Sequence, residues 1–306
     1  MYDFIIIGGG CSGLSGGMYG TRLGLKTLIL AEMPGGLITT THLVENWPGV
    51  ITTSGPDLAN ALYQHAVAAG AEIKSERARK IEKLPEVNGV PRFKVITGSG
   101  EYETKTVLIA TGTVHKKLGV PGEKELENRG VSYCALCDGA FFKGKVVAVV
   151  GGGDSAAKEA LFLSEHASKV YIVVRKNVLR AEPINAQRIS KNEKIEILYN
   201  TEIEEILGTE AVEKVRFKNG QELEMQGVFL AIGHTAQTDL AKELGVALNE
   251  KGEIIINRKT ETNIPGVFSA GDCCDTEFKQ AITGAAEAVT ASYYAYNVCT
   301  SESINQ

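Results

Sequence analysis

Residues 3–13 read DFIIIGGGCSG, and residues 146–156 read VVAVVGGGDSA. In both stretches a short apolar run leads directly into three glycines, and a helix-like segment follows. An apolar strand, a glycine loop and a helix in that order are typical of a dinucleotide-binding fold. The two stretches begin about one domain length apart. The sequence therefore predicts two such folds, each able to hold one dinucleotide.

Other apolar runs indicate the fold class. Buried parallel strands are continuously apolar rather than alternating. Four further runs have this character: Thr27 to Leu30, Val107 to Ala110, Val170 to Val174 and Val228 to Ile232. We therefore expect an α/β protein with two Rossmann-like dinucleotide-binding domains.

Two breaks in this succession of strands, loops and helices predict how the domains are arranged. Residues 113–122 and 233–238 are rich in polar residues and glycine, and they suit linkers better than the interior of an element. The part of the chain after the second break is short for a doubly wound domain of its own. We therefore expect a middle domain, residues 115–238, to be inserted into a discontinuous domain formed by residues 1–114 and 239–306.

Composition narrows the range of partners. The chain has 306 residues, a formal net charge of -5 and a pI near 5.7, which argue against a nucleic-acid or anionic-membrane surface. No apolar run approaches the ~18 residues of a membrane span. Six cysteines are too few for a disulfide scaffold in a chain of this length, which favours a reducing compartment. We expect a cytoplasmic protein that binds neither nucleic acid nor membrane.

The first glycine loop has the spacing G-x-G-x-x-G. Gly8 allows the tight turn, Gly10 lets backbone N–H groups approach a pyrophosphate, and Gly13 allows close packing of helix and strand. Glu32 ends the next apolar run, about 20 residues further on, where an acid hydrogen-bonds a ribose 2'-hydroxyl. Such an acid repels a 2'-phosphate, so this loop is expected to bind FAD or NAD. Cys11, inside the loop, is interpreted as a small packing residue.

The second glycine loop is the variant G-x-G-x-x-A, with Gly151, Gly153, Asp154 and Ser155 at its turn. The strand that follows ends in Arg175 and Lys176, with Arg180 a few residues later and no acid at the ribose position. Guanidinium groups match phosphate oxygens, so these cations favour the 2'-phosphate of NADPH. The alternative is a solvated basic turn after a strand.

Cys134-Ala135-Leu136-Cys137-Asp138 lies between the first break and the second glycine loop. A C-x-x-C spacing at a helix start lowers a thiolate pKa, which thiol-disulfide exchange requires, and Asp138 can act as general acid-base. The alternatives are an inert buried pair and a structural zinc site, which wants four ligands although the sequence has no second such motif.

Joined, these motifs form an electron relay. Nicotinamides transfer hydride, whereas thiols and disulfides exchange electrons through sulfur, and a flavin bridges the two. The sequence thus predicts a reductase that uses NADPH and FAD to reduce a disulfide.

Several segments resemble the bacterial-type, low-molecular-weight thioredoxin reductases. They include Pro34-Gly35-Gly36, residues 44–49 (VENWPG), Ala110-Thr111-Gly112, residues 134–139 (CALCDG) and residues 266–272 (GVFSAGD). The resemblance runs from about Asp3 to Tyr296. It implies a homodimer formed through the FAD domains, a thioredoxin-like protein as partner, and a rotation of the NADPH domain about the two breaks.

The resemblance also implies roles for residues. Cys137 would face the flavin and Cys134 would attack the protein substrate. Asp272 would bind the FAD ribityl region, and Gln280, Ala281 and Ile282 would lie along the isoalloxazine. The other FAD positions are Gly8, Gly10, Cys11, Ser12, Gly13, Glu32, Gly35, Gly36, Leu37, Asn46, Thr111, Gly112 and Gly271. The NADPH positions are Gly151, Gly153, Asp154, Ser155, Arg175, Lys176, Arg180, Ile232 and Gly233.

The chain departs from the family at four places. Val174-Arg175-Lys176 replaces the usual His-Arg-Arg, Leu37 replaces a glutamine, Lys279 replaces an arginine, and the acid after the second strand is displaced to Glu32. Alternative functions are a flavin-dependent dithiol oxidase, an NADP reductase of ferredoxin or flavodoxin, a thioredoxin reductase supplied by NADH or ferredoxin, and a nucleotide-sensing module. The cysteine pair argues against the NADP reductase and the sensing module, and the second loop with its cations argues against the oxidase.

Overall fold

A computed structural model describes the backbone of residues 1–304 and the side chains of residues 1–300. These residues divide into two compact units. The first unit contains Met1–Thr39, Leu43–Val114 and the chain from Ala236 onward, and the second contains Thr40–His42 and His115–Thr235. The chain returns to the first unit slightly before residue 238, where the sequence places the boundary.

Helices and strands alternate along both units. The first part of the first unit contains β1 (Tyr2–Ile7), α1 (Cys11–Arg22), β2 (Thr27–Leu30), α2 (Gly55–Ala68), β3 (Glu72–Lys74), β4 (Ala78–Val87), β5 (Val90–Thr97), β6 (Glu101–Ile109) and β7 (Thr113–His115). The second unit continues with β8 (Val131–Ser132), α3 (Ala135–Asp138), β9 (Val146–Val150), α4 (Asp154–His166), β10 (Lys169–Val174), α5 (Pro183–Ser190), β11 (Ile195–Tyr199), β12 (Ile203–Leu207), β13 (Lys214–Phe217), β14 (Glu222–Glu224), β15 (Gly227–Leu230) and β16 (His234–Ala236). The chain ends with α6 (Asp239–Leu244), β17 (Val267–Ser269) and α7 (Ala281–Ile304).

The sheet of the first unit has the strand order β3-β2-β1-β6-β5-β4, with β17 also beside β6. β1 pairs in parallel with β2 and β6, and β17 pairs in parallel with β6. Successive β1 residues are buried on opposite faces: Phe4 and Ile6 pack with α1 and α7, whereas Ile5 and Ile7 pack in the other core cluster. This explains why the strand is apolar throughout.

The second unit repeats this arrangement in a sheet of order β11-β10-β9-β15-β8. Its strands are parallel. Val147 and Val149 of β9 are buried in the cluster that contains the alanines of α4, and Ala148 and Val150 in a cluster with the three-stranded sheet β12-β13-β14. The predicted α/β class is confirmed by this doubly covered parallel architecture.

α7 spans 24 residues and packs against α1. Gly16 of α1 permits the close approach, because a Cβ atom there would lie 3.3 Å from the Ala288 Cβ and 2.9 Å from Leu108. The Ser292 hydroxyl donates to the Gly16 carbonyl at 2.8 Å. No helix within residues 1–304 combines the length and the apolar character needed to cross a bilayer.

The two breaks seen in the sequence are not plain loops. β7 and β16 pair as a two-stranded ribbon. Backbone hydrogen bonds extend the pairing on both sides, from Lys116 N–H to the Gly233 carbonyl at 3.0 Å and from Gln237 N–H to the Gly112 carbonyl at 2.9 Å. Each break thus satisfies backbone groups of the other. The chain passes from one unit to the other within these two segments, which contain short paired strands.

Candidate functional site

The first glycine loop leaves the start of α1 open. Gly10 is the residue before the helix, its backbone is extended, and no side chain caps the helix. A Cβ atom on Gly8 would lie 2.1 Å from the Ala110 carbonyl oxygen, and one on Gly13 would lie 1.9 Å from the Gly8 oxygen, so neither position admits another residue. Uncapped N–H groups at a helix start are suited to a phosphate. The loop therefore fits the pyrophosphate of a dinucleotide.

Other predicted flavin residues gather around this loop within the first unit. Gly35 donates its N–H to the Gly9 carbonyl at 2.8 Å, and a Cβ atom on Gly36 would lie 2.7 Å from the Gly10 Cα. Gly271 has a φ of 84°, and a Cβ atom there would lie 2.4 Å from the Ser12 hydroxyl. Two distant segments, at Gly35–Gly36 and at Gly271, thus lie against the start of α1.

The remaining predicted flavin residues lie in the same unit but are not packed against the start of α1 as tightly as the glycines are. Glu32 is exposed at the end of β2 and pairs with Arg77 at 3.5 Å. Asn46 donates to the Gln280 amide oxygen at 2.9 Å, and the Thr111 hydroxyl donates to the Gln237 carbonyl at 2.6 Å. Leu37 lies in a 3-10 helix (Gly36–Thr40), Gly112 ends the short connection before β7, and Ala281 and Ile282 begin α7.

Two titratable side chains at this site are perturbed by burial. Burial raises the pKa of the Cys11 thiol to about 11, which keeps it neutral and supports its interpretation as a packing residue. Burial also raises the pKa of the Asp272 carboxyl, and the charge of Lys279 partly opposes the shift. No donor within the described chain hydrogen-bonds the Asp272 carboxylate, which leaves it available to the hydroxyls of a ligand.

The second glycine loop has the same construction. A Cβ atom on Gly151 would lie 2.3 Å from the Ala231 oxygen, just as one on Gly8 would lie 2.1 Å from the Ala110 oxygen in the first unit. Gly153 precedes α4 with an extended backbone and no side-chain cap, and Ser155 is exposed in the first turn. Gly233, with a φ of 98°, and the half-buried Ile232 follow β15. This loop therefore fits a second pyrophosphate.

Three cations stand beside the second loop. Arg175, Lys176 and Arg180 are exposed, and none forms an ion pair within the residues that the structure describes. The segment with Arg180 is fixed to the loop, because Arg180 N–H donates to the Gly152 carbonyl at 2.8 Å. These unpaired cations are suited to a 2'-phosphate.

Asp154 has a role that the sequence did not reveal. Its carboxylate accepts from the Glu182 N–H at 2.8 Å, the Asn185 amide at 2.9 Å and the Lys158 ammonium at 2.8 Å. Burial alone would raise the pKa of Asp154, but these donors outweigh it and lower the pKa. The side chain thus anchors the segment that follows Arg180 rather than standing free for a nucleotide.

Asp154→Ala is expected to weaken binding of 2',5'-ADP by about tenfold while 5'-AMP binding changes little, because the Arg180 segment loses a charge-assisted anchor. Calorimetric titration with the two fragments measures this. Lys158→Met, which removes only the surface partner of Asp154, is the matched control. An equal loss for both fragments would contradict a role in placing Arg180.

The cysteine pair forms a disulfide in the second unit. The sulfur atoms of Cys134 and Cys137 are 2.05 Å apart. Cys134 caps the start of α3, and its sulfur accepts from the Cys137 N–H at 3.1 Å. Cys137 is exposed and Cys134 half-buried, so the alternative of an inert buried pair was wrong. Among the side chains of residues 1–300, no three His, Cys, Asp or Glu residues are grouped so as to hold a metal ion.

Asp138, which directly follows the pair in the sequence, lines a cavity of about 280 Å³ together with Arg129, Phe141 and Lys145. Phe141 is 73% exposed. The cavity around Asp138 is thus bordered by one exposed aromatic ring and two cations.

Two dinucleotide-binding units and an accessible disulfide define the class of nucleotide-dependent disulfide reductases. Residues 2–288 match the family described as pyridine nucleotide-disulphide oxidoreductase, and the chain belongs to that family. The family predicted from the sequence is thereby confirmed.

Individual relatives agree with this assignment. The thioredoxin reductase of Bacillus subtilis (strain 168) is 42% identical over 300 residues, which cover 95% of this chain and 93% of that protein. The crystal structure of the Lactococcus lactis thioredoxin reductase matches with a TM-score of 0.92 at 37% identity, covering 98% of this chain and 99% of that one. The crystal structure of the T. acidophilum thioredoxin reductase matches with a TM-score of 0.91 at 34% identity, covering 99% of both chains.

Proposed function

We propose that the protein is a thioredoxin-disulfide reductase that passes electrons from NADPH through FAD and the Cys134–Cys137 disulfide to a thioredoxin-like protein. The observation that carries this proposal is the exposed disulfide in a unit that also contains a dinucleotide loop with unpaired cations. An NADP reductase or a nucleotide-sensing module would have no use for such a disulfide. FAD is assigned to residues 1–114 and 239–306, and NADPH to residues 115–238.

Each residue has a part in the proposed reaction. The loop of Gly8, Gly10 and Gly13 together with Asp272 would hold FAD, which would supply the chemistry for taking hydride from NADPH and passing two electrons to the disulfide. The Cys134–Cys137 bond breaks as it takes up those electrons and protons, giving two thiols, and Asp138 holds or releases a proton beside them. One thiolate then attacks the partner's disulfide and forms a mixed disulfide. The second thiolate breaks that bond, which restores Cys134–Cys137 and releases the partner with two thiols.

The surface around Asp138 supports a protein as the substrate. The exposed Phe141 ring offers an apolar anchor, and Arg129 and Lys145 offer positive charge. Such a surface suits a partner with an apolar and acidic face around its own disulfide.

Assembly and location complete the proposal. A homodimer formed through the FAD units follows from the resemblance. The small number of cysteines favours a reducing, cytoplasmic compartment, and the acidic pI argues against a nucleic-acid partner.

Anaerobic titration of the purified protein tests this function. Addition of NADPH is expected to bleach the flavin absorbance at stoichiometric amounts, whereas NADH should require a large excess. A subsequent addition of oxidised thioredoxin is expected to restore the oxidised flavin spectrum. Rapid reoxidation by oxygen alone, with thioredoxin ineffective, would favour the dithiol oxidase instead. Bleaching by reduced ferredoxin but not by NADPH would identify a different donor.

A further inference from the structure

Lys279 lies just before the predicted flavin residues Gln280 to Ile282, but its side chain is turned into the protein. The ammonium donates to the Asp272 carbonyl at 2.9 Å and the Cys274 carbonyl at 2.8 Å, and it pairs with Glu253 at 2.6 Å. The Lys279 side chain is 29% exposed and that of Glu253 15% exposed, so solvent screens the pair only in part. All three donor positions of the ammonium are therefore satisfied by this chain.

Both ends of the Lys279 contact are held in place. Glu253 accepts a second bond from the Asn249 amide at 2.7 Å. On the other side of the Gly271–Cys274 turn, Glu287 of α7 accepts from the Gly271 N–H at 2.8 Å and from the Thr276 hydroxyl at 2.5 Å. The turn that presents Asp272 is thus fixed by an ammonium on one side and a carboxylate on the other.

We propose that Lys279 is a positioning residue for FAD: it fixes the Gly271–Cys274 turn and supplies the positive charge that keeps Asp272 ready to accept hydrogen bonds from the cofactor. The inference rests on the proposed flavin site of the first unit. It assigns to Lys279 a role through Asp272, whereas its position before Gln280 would suggest a direct contact with the cofactor.

Charge supports this assignment. Burial raises the pKa of Asp272, and Lys279 is the group that lowers it. The other titratable groups around the turn are carboxyls and thiols: Glu253 and Glu287 hold it, Asp275 accepts from the Ile256 N–H, and Cys11, Cys273 and Cys274 lie nearby. Without Lys279 the pKa of Asp272 should rise further. A protonated carboxyl accepts hydrogen bonds less well. As the pH is lowered, the variant should therefore lose FAD at a higher pH than the wild type does.

The test is the retention of FAD by the purified holoenzyme, followed by the fluorescence of released flavin on dilution across a range of pH. Lys279→Met is expected to weaken FAD affinity about tenfold to a hundredfold at neutral pH and to move the pH at which FAD is lost upward. Lys279→Arg should restore both the FAD affinity and the pH at which FAD is lost. Lys242→Met, which removes an exposed lysine of the same unit, should behave as the wild type.

Two outcomes would overturn the proposal. One is FAD retention in Lys279→Met equal to that of the wild type. The other is weaker retention without any change in its pH dependence, which would show that the lysine only supports the fold. If Lys279→Met does not fold, Glu253→Gln replaces it, since it removes the charge that holds Lys279 and is expected to weaken FAD several-fold. A wild-type protein that binds no FAD would instead refute the proposed function.

Discussion

Replacement of either cysteine of the pair with serine is expected to lower turnover with a thioredoxin disulfide by about a thousandfold or more. The reason is chemical, because a single thiol can form a mixed disulfide but cannot resolve it. Bound FAD should stay reducible by NADPH in Cys134→Ser and Cys137→Ser, since hydride transfer precedes the sulfur steps. Turnover with a small quinone, which takes electrons from the flavin directly, measures the first half-reaction, the reduction of FAD by NADPH.

Cys299→Ser is the matched control, because it removes a buried thiol of the first unit, far along the chain from the pair. It should retain turnover with both acceptors. The single-cysteine variants also identify the attacking thiol, since only that one traps the partner covalently. The resemblance assigns the attack to Cys134, whereas Cys137 is the more exposed of the two. Normal protein-disulfide turnover in either serine variant would refute the relay.

Arg175→Ala and Arg180→Ala are each expected to lower kcat/KM for NADPH about tenfold to a hundredfold. Each removes a guanidinium that is exposed beside the second glycine loop and free to bind a 2'-phosphate. A charge-assisted hydrogen bond contributes about 1.5 to 3 kcal/mol, which corresponds to that range. NADH lacks the 2'-phosphate, so its kcat/KM should barely change. The ratio of kcat/KM for NADPH to kcat/KM for NADH should therefore fall. Steady-state rates with both nucleotides measure this ratio.

The neighbouring cations supply the controls. Lys176→Arg should keep or widen the preference for NADPH, because a guanidinium forms a fork that an ammonium does not. Lys191→Ala, which removes an exposed lysine after α5, should leave the ratio unchanged. Equal wild-type efficiency with NADH and NADPH, or unaltered ratios in both arginine variants, would show that the basic turn is only a solvated surface.

The sequence predicted those features that depend on neighbours in the chain. The strands and glycine loops belong to this group, because each apolar run is followed directly by glycines at fixed spacing, Gly8, Gly10 and Gly13 after the first run and Gly151 and Gly153 after the second. The start of α3 at the cysteine pair belongs to it as well, since the C-x-x-C spacing is local.

Other features depend on residues that are far apart in the sequence, and no spacing reveals them. Lys279, Glu253 and Glu287 hold one turn but come from three segments. Asp154 was predicted as a nucleotide residue from its place after the loop, yet its partner Asn185 lies in the following helix. The pairing of β7 with β16 likewise joins two segments that each read as an ordinary break.

The pairing of β6 with β17 and the packing of α1 on α7 have a consequence for how the protein is made. During translation the ribosome releases α1 and β6 long before their partners α7 and β17 exist, while almost all of the second unit, His115–Thr235, emerges as one continuous stretch. Domains generally fold as units during synthesis. The second unit can therefore fold on the nascent chain, whereas the first unit cannot complete its sheet and its helix packing until β17 and α7 have been made.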